Sequence, residues 1–179
     1  MSETDARVVL LTGPPGVGKT TVIRRVVEAL DEPAAGFYTE EIRDREGRKG
    51  FRIVGFDGWS RVMAHVEIGG EPRVAKYGVD VAAVDEAVAR LPDVAPIYVL
   101  DEIGKMECFS DAFVDLVRRI LDSDARMLAT ISERAGGFIA RVRQHADAEL
   151  VGVTRRNRDR LPGRILAWIG ERGGAGGTG

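Results

Sequence analysis

The apolar positions along the chain fall into two textures, short continuous runs and stripes at helical spacing. Arg7-Val8-Val9-Leu10-Leu11-Thr12 is a run of the kind found in strands buried on both faces of a parallel sheet, and it leads straight into glycine. From Lys19 to Leu30, residues Val22, Ile23, Val26, Val27 and Leu30 recur at helical spacing with Arg24, Arg25 and Glu28 opposite, which predicts an amphipathic helix. Between Gly36 and Val66 the texture changes. Gly36-Phe37-Tyr38-Thr39 and Gly50 to Phe56 read as short β runs separated by the turn-like Asp44-Arg45-Glu46-Gly47 and Asp57-Gly58, which predicts antiparallel hairpins flanking the main sheet.

The remainder alternates. A helix is predicted over about 79–91, using Val81, Val84, Val88 and Leu91 and closed by Pro92. Pro96-Ile97-Tyr98-Val99-Leu100-Asp101 is a buried strand ending in an acid, and a helix follows at 110–121 with Phe113, Leu116, Val117, Ile120 and Leu121 inward. Two more units are a strand at 126–131 with a helix near 135–144, and a strand at 149–153 with a helix near 161–169. Such alternation predicts an α/β fold with a mainly parallel sheet, in which the hairpins (about 36–66) are an insertion rather than a second domain. No solenoid repeat or dividing linker is visible, so residues 1–170 read as one domain, and the glycine-rich end, 171–179, reads as a disordered tail.

Composition narrows the classes. With 179 residues, 44% of them hydrophobic, the chain can fill one full core. The balance of 26 Lys+Arg against 28 Asp+Glu, a formal charge of −2, lacks the basic excess of a dedicated nucleic-acid binder, so nucleic acid is not the expected partner. Cys108 is the single cysteine, which removes intrachain disulfides and multi-thiolate zinc sites and suits the cytoplasm. Met1 to Arg7 is short and polar, and no run of about 18 apolar residues occurs, so neither secretion nor a membrane span is expected.

The candidate chemistry starts where the first strand ends. Gly13-Pro14-Pro15-Gly16-Val17-Gly18-Lys19-Thr20 fits the phosphate-loop pattern, the Walker A motif, and lies between a strand and a helix as that pattern requires. Its glycines let backbone amides turn toward a β-phosphate while the helix N-terminus presents unsatisfied N–H groups to the anion. Lys19 adds positive charge for the β- and γ-phosphates, the hydroxyl of Thr20 is placed to ligate Mg²⁺, and Thr21 continues the nucleotide-binding set. Asp101-Glu102 ends an apolar strand, as in a Walker B motif, at the sheet edge where open α/β sheets bind ligands. Asp101 is expected on the Mg²⁺ side, and Glu102 is the candidate general base for the attacking water, with a cap or salt bridge as its plain alternative.

Three further positions carry two readings each. Thr130 ends the run Met127-Leu128-Ala129, where its hydroxyl would reach the γ-phosphate or the water as a sensor, or where it is an ordinary β-branched strand residue. Asn157-Arg158-Asp159 follows the last strand, where this motif, Asn157 in the nucleotide-binding set, would contact base or ribose, or where the three form a polar turn before a helix. Arg134, Arg155 and Arg156 could supply transition-state charge or be solvated surface. His65, His145 and Cys108 lack the company a metal site or nucleophile needs and read as structural.

These residues resemble the small nucleoside-triphosphatases first described in thermophiles and their cancer-related relative in higher organisms. The resemblance spans nearly the whole chain to about Ile169. It rests on Gly13 to Thr20, on Gly36-Phe37-Tyr38-Thr39-Glu40-Glu41-Ile42-Arg43, on Lys49 to Val54, on Lys76-Tyr77-Gly78-Val79-Asp80, and above all on Asp101-Glu102-Ile103-Gly104-Lys105-Met106-Glu107. It implies a three-layer P-loop fold similar to the RecA-like branch and slow Mg²⁺-dependent hydrolysis of several nucleoside triphosphates, ATP and GTP among them. By position it also implies that Gly13 to Thr20 are the phosphate cradle, Asp101 the magnesium-side acid, Glu102 the water-activating acid, and Asn157-Arg158-Asp159 the family's motif before the last helix. Cys108, where a larger aliphatic residue is usual, and the glycine tail depart from the pattern without touching this chemistry. The expected function is a broad-base triphosphate phosphohydrolase acting as a monomer. A small-molecule kinase and a nucleotide-binding switch are the alternatives, and the chain lacks the Asn-Lys-x-Asp motif that would favour the switch.

Overall fold

The computed structural model describes residues 6–31, 34–133 and 136–170. Chain order is β1 (Val8–Thr12), α1 (Lys19–Glu28), β2 (Ala35–Asp44), β3 (Gly47–Gly55), β4 (Ser60–His65), β5 (Arg73–Val74), β6 (Tyr77–Val79), α2 (Val81–Ala89), β7 (Ile97–Ile103), α3 (Asp111–Leu121), β8 (Arg126–Ile131), α4 (Gly137–Arg143), β9 (Ala148–Gly152) and α5 (Leu161–Gly170). A short 3-10 turn at Glu107–Phe109 joins β7 to α3.

Among the described residues the nine strands form one mixed sheet in the order β5-β6-β4-β3-β2-β7-β8-β1-β9. The run β2-β7-β8-β1-β9 is parallel, and β2-β3-β4-β6-β5 is antiparallel. The continuous apolar runs of the parallel strands are explained by burial on both faces. Val8 and Leu10 pack with Leu100, Met127 and residues of α2, α3 and α4, while Val9 and Leu11 pack with Val99, Leu128 and residues of α1 and α5. The helical face read from α3 is the buried one, and Ser110 caps that helix by accepting from the Phe113 amide at 3.0 Å.

β2 is the hinge between the two halves of the sheet. Ala35 to Phe37 pair in parallel with β7, whereas Phe37 to Asp44 pair antiparallel with β3. At the crossing, Gly36 has φ +155°, and a methyl group there would stand 1.8 Å from the Val99 carbonyl oxygen, so only glycine lets the two backbones meet. The turn between β2 and β3 is held by Asp44, whose Oδ1 accepts from the amides of Glu46 (2.8 Å) and Gly47 (3.1 Å).

The expected hairpin insertion differs in extent and attachment. It shares one continuous sheet with the parallel strands through β2, and it runs on to β6, because Val79 pairs with Ala64. β5 and β6 have two and three residues, too few for a period of two to register in sequence. The helix expected from about Val79 therefore starts at Val81. The start expected for the next-to-last helix, Ala135, and the tail expected at 171–179 lie outside the described residues. Among the described residues no helix is long and apolar enough to cross a membrane.

Candidate active site

β1, β7, β8 and β9 run parallel, so Thr12, Ile103, Ile131 and Gly152 bring their ends to one edge of the sheet. The segment Gly13 to Gly18 turns across that edge with positive φ at Gly13 (+146°), Gly16 (+74°) and Gly18 (+109°). The turn is tight. A methyl group on Gly13 would stand 2.8 Å from the Val153 carbonyl oxygen, while the Val153 amide donates to Thr12 O at 2.7 Å. Pro14, Pro15 and Gly16 are exposed, and buried Val17 anchors the loop among Val22, Ile23, Val151 and Leu161.

Lys19 opens α1, and its Nζ donates to the Gly13 carbonyl at 2.8 Å. The N-cap, Gly18, offers no side-chain acceptor and the first turn holds no acid, so the positive end of the helix is left for an external anion. Thr20 is half-buried in this turn and Thr21 exposed beside it.

β8 lies between β1 and β7, and its end carries residues that grip the two acids of β7. The β7–β8 register shifts between Leu100 and Ile103, placing Asp101 and Glu102 in an irregularity that re-aims their side chains. Asp101 is 2% exposed; its Oδ1 accepts from the Thr130 hydroxyl, and its Oδ2 is buried without a hydrogen-bond partner. Burial pushes the Asp101 carboxyl up to about 6, against the hydrogen bond from Thr130, the nearby Thr20 hydroxyl and the charge of Lys19, while the charge of Glu102 adds to the rise. A buried carboxylate oxygen left open beside a threonine hydroxyl at a phosphate loop is a donor set that fits Mg²⁺, a hard cation taking few protein ligands.

Glu102 is half-buried, and its Oε1 accepts from the Ser132 hydroxyl at 3.1 Å. Behind it Glu107 is 5% exposed, and its carboxyl is pushed up to about 8, by burial first and then by the charges of Glu102 and Asp101. Burial, with Glu107 adding to it, pushes the Cys108 thiol up to about 12, which disfavours its thiolate form. His65 and His145 accept from the amides of Glu67 and Asp147, both at 3.3 Å, in local turns.

The loop after β9 carries Asn157, Arg158 and Asp159. The Asn157 side chain is spent inside its own loop, its Oδ1 accepting from the Thr154 amide at 2.7 Å and its Nδ2 donating to the Gly152 carbonyl at 2.8 Å. Arg158 reaches the Gly13–Gly18 turn: its Nη1 donates to Val17 O at 3.3 Å and its Cδ would lie 3.3 Å from a methyl group on Gly18. Thr130 is fully buried, and its hydroxyl donates to Asp101. Arg155 and Arg156 are exposed, and Arg134 lies outside the described residues.

With this geometry in view, the sequence profile of the family described as NTPase matches residues 8–166. The chain belongs to that NTPase family. Over 163 residues it is 36% identical to Nucleoside-triphosphatase THEP1 of Thermotoga maritima, covering 89% of this chain and 93% of that protein. Over 184 aligned positions it is 37% identical to the Cancer-related nucleoside-triphosphatase of Homo sapiens, covering 92% and 97%. Its fold is similar to the crystal structure of THEP1 from the hyperthermophile Aquifex aeolicus, with a TM-score of 0.81, 34% identity, and coverage of 91% and 99%. The solution structure of a human cancer-related nucleoside triphosphatase gives a TM-score of 0.76 at 34% identity, covering 93% and 99%.

In this NTPase-family chain the structure brings Gly13 to Thr20, Asp101, Glu102 and Thr130 to one edge. It adds Ser132 and Glu107, which sequence reasoning did not place in the site, and within the 157–159 motif it is the guanidinium of Arg158 that reaches the Gly13–Gly18 turn. For Glu107 the one signal was its place at the end of the string Asp101 to Glu107 on which the resemblance rests.

Proposed function

We propose that this chain is a Mg²⁺-dependent nucleoside-triphosphate phosphohydrolase, converting a triphosphate and water to diphosphate and phosphate, on a P-loop fold of the RecA-like kind. The observation that carries the proposal is the meeting of three parts at one sheet edge: the phosphate loop, Asp101 with its open Oδ2, and Glu102 held by Ser132. The family names of the relatives support the same chemistry.

Backbone amides of Gly13 to Gly18 and the N-terminal end of α1 bind the β-phosphate, and Lys19 exchanges its contact with Gly13 O for phosphate oxygens. Thr20 and Asp101 would hold Mg²⁺, which when bound neutralises charge on the phosphate oxygens. Glu102 orients the attacking water and takes its proton, with Ser132 fixing the carboxylate by its Oε1 and leaving the other oxygen to the water. Because affinity comes from phosphate contacts, and the Asn157 amide is used inside its own loop, the enzyme accepts several bases, ATP and GTP among them. We place it in the cytoplasm as a monomer.

The test is phosphate release by the purified chain with Mg²⁺ and each of ATP, GTP, CTP and UTP, beside Glu102→Ala and Lys19→Ala. Wild type releases phosphate from several triphosphates, Glu102→Ala binds nucleotide but turns over about 10²-fold slower or worse, and Lys19→Ala loses affinity. Release that begins only when an acceptor alcohol or phosphate is added would make the protein a kinase.

A further inference from the structure

Glu107 is a buried carboxyl that the hydrolytic scheme leaves without a task. Glutamate is rarely buried unless paired, and this one stands on the 3-10 turn directly after β7. Its side chain folds back on the strand end that carries Glu102. A methyl group on Gly104 would lie 2.8 Å from Glu107 Oε2 and 3.5 Å from Glu102 Oε1, so both carboxyl groups press on the same bare stretch of backbone. The amides of Gly104 and of Glu107 itself lie against the Glu107 carboxyl. The turn is closed by Cys108 N donating to Gly104 O at 3.1 Å and by Ser110 N donating to Glu107 O at 3.1 Å. From β8, the Ser132 hydroxyl holds the Glu102 carboxylate at 3.1 Å. Glu102 is thus held between a hydroxyl from one strand and a braced turn of its own.

We propose that Glu107 is a positioning residue for hydrolysis, bracing the Gly104 turn so that the Glu102 carboxylate keeps the direction set by Ser132. The inference rests on the reading of Glu102 as the water-activating group. A protonated carboxyl suits the task, since it fills the space behind Gly104 without repelling Glu102, and the rise of this group to about 8 agrees with that state. Proximity effects explain why the brace matters: a carboxylate displaced by about 1 Å from the attacking water costs on the order of 10²-fold in rate.

The test uses the full chain with four substitutions, Glu107→Ala, Glu107→Gln, Gly104→Ala and Glu102→Gln. It reads kcat and KM for ATP hydrolysis with Mg²⁺, nucleotide Kd by titration, and folding by circular dichroism. Glu107→Ala is expected to lower kcat about 10-fold or more with KM and Kd within about 2-fold, and Glu107→Gln to restore kcat to within about 3-fold of wild type. Gly104→Ala, whose methyl group would displace Glu107 Oε2 from the backbone side, reproduces the loss in kcat alone. If Glu107→Ala does not fold, Glu107→Gln and Gly104→Ala decide. A folded Glu107→Ala or Gly104→Ala with wild-type kcat overturns the inference, and so does Glu107→Gln as slow as Glu107→Ala. If Glu102→Gln keeps its turnover, the reading of Glu102 has failed instead; if Glu102→Gln is inactive while the Gly104 and Glu107 variants are unaffected, the brace alone has failed.

Discussion

The hydroxyl of Thr130, at the end of β8, donates to Oδ1 of Asp101 on the neighbouring β7, while Oδ2 of the same carboxylate stays buried without a hydrogen-bond partner. The pair divides the carboxylate into a side fixed by protein and a side left open. Thr130→Val removes the donor but keeps the shape, and it is expected to cost about 1–3 kcal/mol of stability at neutral pH because a buried acceptor loses its partner. It also drives the Asp101 carboxyl above its present value of about 6, so the loss in hydrolysis grows as the solution is acidified. Thr130→Ser keeps both properties. Urea unfolding and a pH–rate profile of the two variants check this, and a fully stable Thr130→Val would remove the bond from any structural account.

Asn157→Ala breaks both ends of the clamp between Gly152 and Thr154. The expected cost is about 1–2 kcal/mol of stability. Since the amide is not aimed at a base, affinities for ATP and GTP should fall together, with their ratio unchanged. Binding titrations with both nucleotides decide, and a ratio that moves about 10-fold would return Asn157 to base recognition.

Gly36→Ala forces a methyl group onto the Val99 carbonyl oxygen at the crossing of β2 and β7, in a backbone conformation that also disfavours alanine. A loss of about 3 kcal/mol or more is expected, or failure to fold. Gly163→Ala in α5 meets open space and should be neutral or stabilising by about 0.5–1 kcal/mol. Comparing the two melting temperatures tests both claims.

Glu107 makes stability depend on pH in a stated direction. Its carboxyl sits at about 8 in the fold against an ordinary 4.5, so the folded chain keeps a proton that the unfolded chain has released. Stability is therefore greatest below the unfolded value, falls as pH rises through this window, and levels off above about 8. Asp101 acts in the same direction but below about 6, which leaves Glu107 as the main contributor from there upward. Denaturant unfolding at several pH values should show a slope of up to about 1.4 kcal/mol per pH unit in wild type, flattened in Glu107→Gln. Equal slopes in the two proteins would place the proton elsewhere.

The expected features divide by how local their causes are. The parallel strands were legible because burial on both faces demands unbroken apolar runs such as Val8 to Leu11. The α3 face was legible because a helix repeats its buried side every three or four residues. The turn at Gly13 to Gly18 was legible because its glycine spacing is a local backbone requirement. Even Asp101 and Glu102 could be placed near the sheet edge, since two acids interrupt the apolar run close to the end of the strand, which closes at Ile103.

Only the tertiary structure decided which side chains meet there. Thr130 is 29 residues from Asp101, Ser132 is 30 from Glu102, and Arg158 is 141 from Val17. These contacts depend on β8 lying between β1 and β7 and on β9 closing the other side of β1. The two-residue β5 and the continuity of the hairpins with the main sheet were decided in the same way. Hydropathy and turn chemistry record what each segment must bury and where it must bend. Strand order is fixed by packing the whole chain at once, and with it the partner of each buried polar atom.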